Sequence, residues 1–283
     1  MLFFTQKGKC FWMRVYEIPE GSKNSKGRAI QNLINIEQDD KVKAFICTQD
    51  LKDEDYINNH YVIMATKMGQ VKKTSLEQYS RPRSNGINAI TIKDGDELLE
   101  AKLTNGNSQI TLAVKSGKAI RFEESKTRPM GRNASGVRGI RLKDNKDEVV
   151  GMISVNDMDA NILVVSENGY GKRSSLEDYR LTNRGGKGVK TISITTKTGQ
   201  LVSLKSVTDS DDLMIINKSG IAIRMQVADL RVMGRATQGV KVISIKDGDG
   251  IAAVAKVMND GEEIEDINDI ESVSYTHLRA HET

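Results

Sequence analysis

Cysteine is nearly absent from this chain, and what little there is does not pair: Cys10 and Cys47 stand far apart and form no CxxC. That excludes a disulfide scaffold and a thiolate metal centre, and it fits a reducing, cytoplasmic setting. Histidine is as scarce. His60 stands alone in a loop, and His277 and His281, although four apart, fall in an atypical terminal stretch. No metal site and no catalytic residue is expected, because HExxH, GxSxG and phosphate-loop patterns are all missing. No apolar run approaches a membrane span; Leu213-Met214-Ile215-Ile216 is typical of the longest. The opening Met1 to Thr5 carries no basic leader and is expected to be a strand entered partway through, not a signal peptide. Aromatics are 5% of the chain, too few to build a stacking platform for single-stranded bases. Proline occurs three times against 24 glycines, a balance that favours many short strands joined by tight turns over a helical bundle.

Charge is present in quantity and unevenly spread. From Asp260 onward there are eight acids and one base, Arg279, which leaves residues 1–259 with 41 bases against 30 acids, a charge of +11. A basic body followed by an acidic tail suggests a polyanion-binding domain beside a segment able to compete with its ligand.

Two glycine landmarks then recur five times. Gly8, Gly69, Gly117, Gly169 and Gly220 each sit in a turn between two short strand-like runs, spaced 61, 48, 52 and 51 residues apart. Gly27, Gly86, Gly136, Gly188 and Gly239 each restart a strand after a basic loop, 19, 17, 19, 19 and 19 residues after the first landmark. A period near fifty with about four strands per period indicates blades of a propeller. In the third unit the pattern predicts strands at 110–114, 119–122, 137–142 and 148–153, with a polar connection from Glu123 to Ser135. Asp50 to Asn59 is an insertion between the first two units and reads as a surface loop. Ten residues beyond each turn glycine stand Ile18, Tyr79, Thr127, Tyr179 and Leu230, so the two tyrosines are expected to pack, not to react.

The basic residues follow the same repeat. One set lies in the loops: Lys23, Lys26 and Arg28; Arg81 and Arg83; Lys126, Arg128 and Arg132; Arg184, Lys187 and Lys190; Arg231, Arg235 and Lys241. A second set lies on the hairpin returns: Lys72 and Lys73, Lys118 and Arg121, Lys172 and Arg173, and Arg224. Radial repetition would turn equivalent positions into one belt around a rim, matched to a curved polyanion such as duplex DNA held by its phosphates. The clearest loop is Thr182-Asn183-Arg184-Gly185-Gly186-Lys187-Gly188, where glycines permit close backbone approach and flanking bases supply charge. Arg138, in the alternating run Val137 to Leu142, belongs to the same expected DNA track.

These residues resemble the C-terminal domain of the DNA gyrase A subunit. The likeness rests on the five repeats and on Val71 to Thr74, Gly136 to Leu142, Asn168 to Arg173 and Gly95 to Leu98, and it runs from about Leu2 to Val257. It implies an all-β fold, a β-pinwheel of four-stranded blades that exchange strands, occupying 1–258 with repeats near 1–60, 61–108, 109–160, 161–211 and 212–258. The first blade is expected to be truncated, and 259–283 to be a disordered acidic tail whose last ten residues match nothing in the family. The resemblance implies wrapping of duplex DNA within a bacterial, cytoplasmic, ATP-dependent type II topoisomerase, an isomerase of composition A2B2 that introduces negative supercoils. It further implies that the catalytic tyrosine, ATP and Mg2+ sites lie in other segments of gyrase A or in gyrase B, with no cofactor here. The Thr182–Gly188 loop keeps Arg-Gly-Gly-Lys-Gly of the family's box but has Thr182 and Asn183 where the box has Gln and Arg, in a later repeat. The equivalent domain of the topoisomerase IV A subunit is the nearest alternative, and a protein-binding propeller a more distant one.

Overall fold

The computed structural model describes residues 1–22, 27–246 and 248–258. Lys23, Lys26 and the acidic segment from 259 onward lie outside the described residues. The first unit forms β1 (Leu2–Thr5), β2 (Lys9–Trp12) and β3 (Val42–Ile46). The second forms β4 (Tyr61–Thr66), β5 (Gln70–Ser75), β6 (Ile87–Asn88) and β7 (Leu98–Thr104). The third forms β8 (Gln109–Val114), β9 (Lys118–Glu123), β10 (Val137–Arg138) and β11 (Val149–Val155). β12 (Asn161–Ser166), β13 (Tyr170–Ser175), β14 (Val189–Lys190) and β15 (Leu201–Val207) make up the fourth. The fifth comprises β16 (Asp211–Asn217), β17 (Ala222–Gln226), β18 (Val240–Lys241) and β19 (Ile251–Met258). A short helix, α1 (Glu54–Asn59), occupies the insertion expected to be plain loop. Asp53 caps it by accepting from the Tyr56 amide at 3.1 Å, and its Ile57 is buried against the first core layer.

Every ladder is antiparallel, and the sheet orders are β3-β1-β2-β6, β7-β4-β5-β10, β11-β8-β9-β14, β15-β12-β13-β18 and β19-β16-β17. Each of the first four blades therefore takes its outermost strand from the following unit. β3, β7, β11, β15 and β19 are innermost and line one central channel of about 760 Å³. The expected truncation of the first blade is not observed: it has four strands, and the fifth has three among the described residues. Strands are donated backwards along the chain, so the blade that receives no donated strand among the described residues is the last one.

The core is a stack of layers between blades. β4 places Val62 and Met64 in the layer shared with the first blade, and Ile63 and Ala65 in the layer shared with the third. β12 divides Ile162 and Val164 from Leu163 and Val165 in the same manner. Successive strand side chains point to opposite faces, and here both faces are covered, so these strands read as unbroken apolar runs. Tyr79 and Tyr179 are buried in the first and third layers, as packing residues.

The landmark glycines are the points where neighbouring units touch. A Cβ at Gly136, Gly188 or Gly239 would lie 2.5 Å from the carbonyl oxygen of Val71, Ala119 or Gly171 on the preceding blade's second strand, and at Gly86 it would lie 2.9 Å from that of Cys10. All four have positive φ, between 67° and 85°. The predicted strand 137–142 shortens to two residues for this reason: after Arg138 the chain dives inward, and Ile140 is buried between the second and third blades. Gly188→Ala adds a backbone clash to left-handed strain of about 1–2 kcal/mol, so it should lower the melting temperature far more than Gly131→Ala, whose Cβ meets nothing within 4 Å.

Candidate nucleic-acid interface

The outermost strands define the rim. At their second position stand Asn88, Arg138, Lys190 and Lys241, and the last three are exposed. Each rim loop reaches back to its predecessor. Arg184 donates from Nε to the Lys126 carbonyl at 2.9 Å and from a terminal nitrogen to the Arg138 carbonyl at 3.1 Å. One blade later Arg235 donates to the Lys190 carbonyl at 2.9 Å. Arg138 and Arg184, and then Lys190 and Arg235, are thus neighbours in space, so bases meet at two successive junctions of the rim; at the junction before them Asn88 Nδ2 donates instead to Asn133 Oδ1 at 3.2 Å. The backbone repeats the staple, since the Gly185 amide donates to the Gly139 carbonyl at 2.6 Å and the Arg141 amide to the Gly186 carbonyl at 2.8 Å.

The loop 182–188 keeps this contact because Gly185, at φ +82°, turns tightly over Arg138, with Gly186 and Lys187 exposed at its tip. Lys187 shares a shallow groove between the third and fourth blades with Lys118, Arg141 and Lys143. Arg81, Arg83, Arg128 and Arg231 are exposed on other loops of the rim, and Arg132 is half-buried.

Five of the bases expected on the belt do not reach the surface. Lys72, Lys73, Lys172 and Arg173 are 0, 5, 0 and 6% exposed, and Arg121 is 7%. They occupy the hairpin return, whose side chains alternate into the layers between blades, and they bind protein instead of solvent. Lys72 Nζ donates to the carbonyls of Ala89 and Arg132, each at 2.5 Å, and Lys172 Nζ donates to the Gly234 carbonyl at 2.7 Å and to Thr237 Oγ1 at 3.1 Å. Both lysines therefore tie down the rim loop of the next unit from beneath.

The next position along forms a second repeated contact. Arg121 donates to the carbonyls of Leu176 at 2.7 Å and Tyr179 at 2.9 Å, and Arg173 donates to that of Leu230. Trp12 makes the same contact in the first blade, through Nε1 to the Tyr79 carbonyl at 2.9 Å. Lys73 instead forms an ion pair with Glu124 at 2.9 Å, which also accepts from Thr104 Oγ1 at 2.7 Å. This clasp was missed in the sequence although its signal was present: Trp12, Lys73, Arg121 and Arg173 all stand four residues after a turn glycine. A tryptophan in that register has no use for a phosphate and marks the position as structural.

Burial drives the Lys72 ammonium down to about 7, helped by the nearby Arg132, and the Lys172 ammonium down to about 8. Between those values and the ordinary 10.5 the unfolded chain keeps protons that the folded chain has released, so stability rises with pH across that window and is flat below it. The pH dependence between 7 and 10.5 should flatten in Lys72→Met and Lys172→Met, measured by denaturant midpoints at each pH. Glu124→Gln, by leaving the Lys73 charge buried and unmatched, should cost about 3–5 kcal/mol in the same assay.

The sequence profile of the family described as "DNA gyrase C-terminal domain, beta-propeller" matches residues 1–49, 60–105, 115–156, 160–208 and 211–258. The DNA gyrase A subunit of Staphylococcus aureus (strain NCTC 8325 / PS 47) is 44% identical over 265 residues, which is 93% of this chain and 29% of that protein. The chain thus spans less than a third of the relative's length. Among solved structures, the C-terminal domain of DNA topoisomerase IV superposes with a TM-score of 0.81 at 27% identity, covering 91% of this chain and 78% of that one. A DNA gyrase A C-terminal domain superposes at 0.77 with 24% identity, covering 91% and 82%, and shares the fold. No helix among the described residues is long and apolar enough to cross a membrane. With its five repeats, exchanged outer strands and family match along nearly all of its described length, this chain belongs to the DNA gyrase C-terminal domain family of β-propellers.

Proposed function

We propose that the chain binds duplex DNA along its outer rim and bends it, as the DNA-wrapping module of a gyrase-type topoisomerase. The observation that supports this most is the stapled series of rim bases, with Arg184 on the Arg138 carbonyl and Arg235 on the Lys190 carbonyl. The track comprises Arg138, Arg184, Gly185, Gly186, Lys187, Gly188, Lys190, Arg231, Arg235, Arg81, Arg83, Arg128 and Arg132. Guanidinium and ammonium groups on a curved edge favour phosphate contact without base readout, and each phosphate neutralised releases counterions. Smooth bending of a 20–30 base-pair segment by 40–90° costs about 1–6 kcal/mol. Several such contacts, formed together, offset that cost. The buried lysines act from below, holding the loops in the shape that presents the charges.

In this reading the chain is not a catalyst and takes no cofactor. Strand cleavage, ATP and Mg2+ belong to the rest of gyrase A and to gyrase B in a cytoplasmic A2B2 holoenzyme, whose negative supercoiling this module directs. A topoisomerase IV-type parent is the second reading, favoured by the TM-score of 0.81 to that enzyme's C-terminal domain. The Arg-Gly-Gly-Lys-Gly loop and the 44% identity to a gyrase A chain support the first.

The test is the salt dependence of duplex binding. Arg138→Gln with Lys190→Gln should reduce the log–log salt slope by about 2, one for each phosphate no longer neutralised, with the fold intact. Lys205→Gln, at a base lining the central channel, should leave the slope unchanged. Equal slopes for the rim double variant and the parent would move the DNA track elsewhere.

A further inference from the structure

One apolar position of the repeat stays outside the core in three successive units. Pro129, Leu181 and Val232 each stand twelve residues after a turn glycine. Pro129 is exposed, Leu181 is 44% exposed and Val232 51%. The backbone here is held from both sides. Two residues earlier Thr127, Tyr179 and Leu230 are buried. One residue later the amides of Met130, Thr182 and Met233 donate to the carbonyls of Lys73, Arg121 and Arg173 at 2.8, 2.9 and 2.8 Å. The side chain between them faces solvent from a fixed backbone. Each of these apolar residues is also bracketed by arginine. Arg128, Arg180 and Arg231 directly precede it and are exposed; Arg132, Arg184 and Arg235 follow three residues later, half-buried. Arg180, absent from the bases expected on the belt, shares a cavity of about 160 Å³ with Gly186 and Lys187 of the glycine loop. In the second unit, Pro82 is exposed between Arg81 and Arg83.

Arginines on either side suit phosphates, but a rigid apolar group between them does not. In duplex DNA the two demands meet in the minor groove, which is about 6 Å wide, has a row of phosphates along each edge and has deoxyribose for its walls. The major groove, about 12 Å wide, offers apolar contact chiefly at thymine methyls, and so only where the sequence supplies them. We infer that Pro129, Leu181 and Val232 pack against deoxyribose in the minor groove at three successive loops of the rim, with the flanking arginines on the phosphates at its edges. This rests on the rim-binding reading and adds which groove faces the protein. No base step is unstacked. A duplex curved around the rim narrows the groove that faces inward, which brings both sugar walls onto the side chain and strengthens the negative potential around each arginine. Sugars are alike at every base pair, so the contact requires no base readout. The apolar residue therefore sets the rotational position of the duplex, and the bases supply the attraction.

The experiment titrates the 283-residue chain across salt with one duplex of mixed sequence in three forms. The first is unmodified. The second has diaminopurine for adenine, which adds an amino group in the minor groove, and the third has 5-methylcytosine for cytosine, which adds a methyl group in the major groove. The chain should bind the second form severalfold more weakly and the third as well as the first. Leu181→Ser with Val232→Ser should weaken binding to the unmodified duplex about tenfold, with the salt slope kept, because no cation is lost. Its discrimination against diaminopurine should shrink in step. Leu181→Met with Val232→Ile, apolar at both places, should behave as the parent. The inference is overturned if the parent discriminates against 5-methylcytosine instead of diaminopurine, a result that needs no variant. It is equally overturned if the serine double variant, with unchanged circular dichroism, binds all three duplexes as the parent does. Should that happen while Arg138→Gln with Lys190→Gln still lowers the salt slope, the minor-groove contact fails and the rim reading stands; if that slope is also unmoved, both fail.

Discussion

Everything in this molecule depends on the donation of one short strand from each unit to the blade before it. The donated strand is two residues long, so its hydrogen bonds alone would hold little. Its value lies in what it positions. The glycine that starts it brings two backbones to a separation that no side chain tolerates, and the residues that follow wedge an isoleucine into the layer between blades. A lysine or arginine of the receiving blade then closes on the incoming carbonyls from beneath. Backbone proximity, apolar burial and buried cations thus act on one segment, and that segment carries the rim.

This arrangement explains why the basic residues separate into two populations that composition cannot distinguish. On the donated segment the side chain at the second position points outward, because the first points to the core: Val137, Val189 and Val240 alternate with Arg138, Lys190 and Lys241. On the receiving hairpin return, both faces are covered by neighbouring blades, and a base there must find protein acceptors or not be charged. Lys72 and Lys172 find carbonyls, and Lys73 finds Glu124. The interior cations therefore shape the loops whose exterior cations face solvent.

Much of this was legible in the sequence. The two glycine series fixed the unit, its turns and its period, since each glycine answers to a contact repeated in space. The exposed loop bases were legible too, because glycine-flanked polar loops have nowhere to go but the surface. The helix α1 was hidden, as it depends on Asp53 capping and a single buried Ile57. The burial of Lys72, Lys73, Lys172 and Arg173 was hidden for a deeper reason. A base on a strand reads as a solvent-facing residue unless the second sheet face is known to be covered, and that is a property of the assembled blades. The direction of strand donation was equally invisible, and with it the fact that the open edge lies at β17.

The division of bases into rim and interior is the claim on which the functional reading stands, and lysine labelling in the presence and absence of saturating duplex DNA tests it in one measurement. Lys187, Lys190 and Lys241 should be modified rapidly in the free chain and be protected by DNA. Lys72, Lys73 and Lys172 should be slow in both states. Labelling of Lys72 and Lys172 in the folded chain as fast as Lys190, or Lys190 equally reactive with and without bound DNA, would contradict the account.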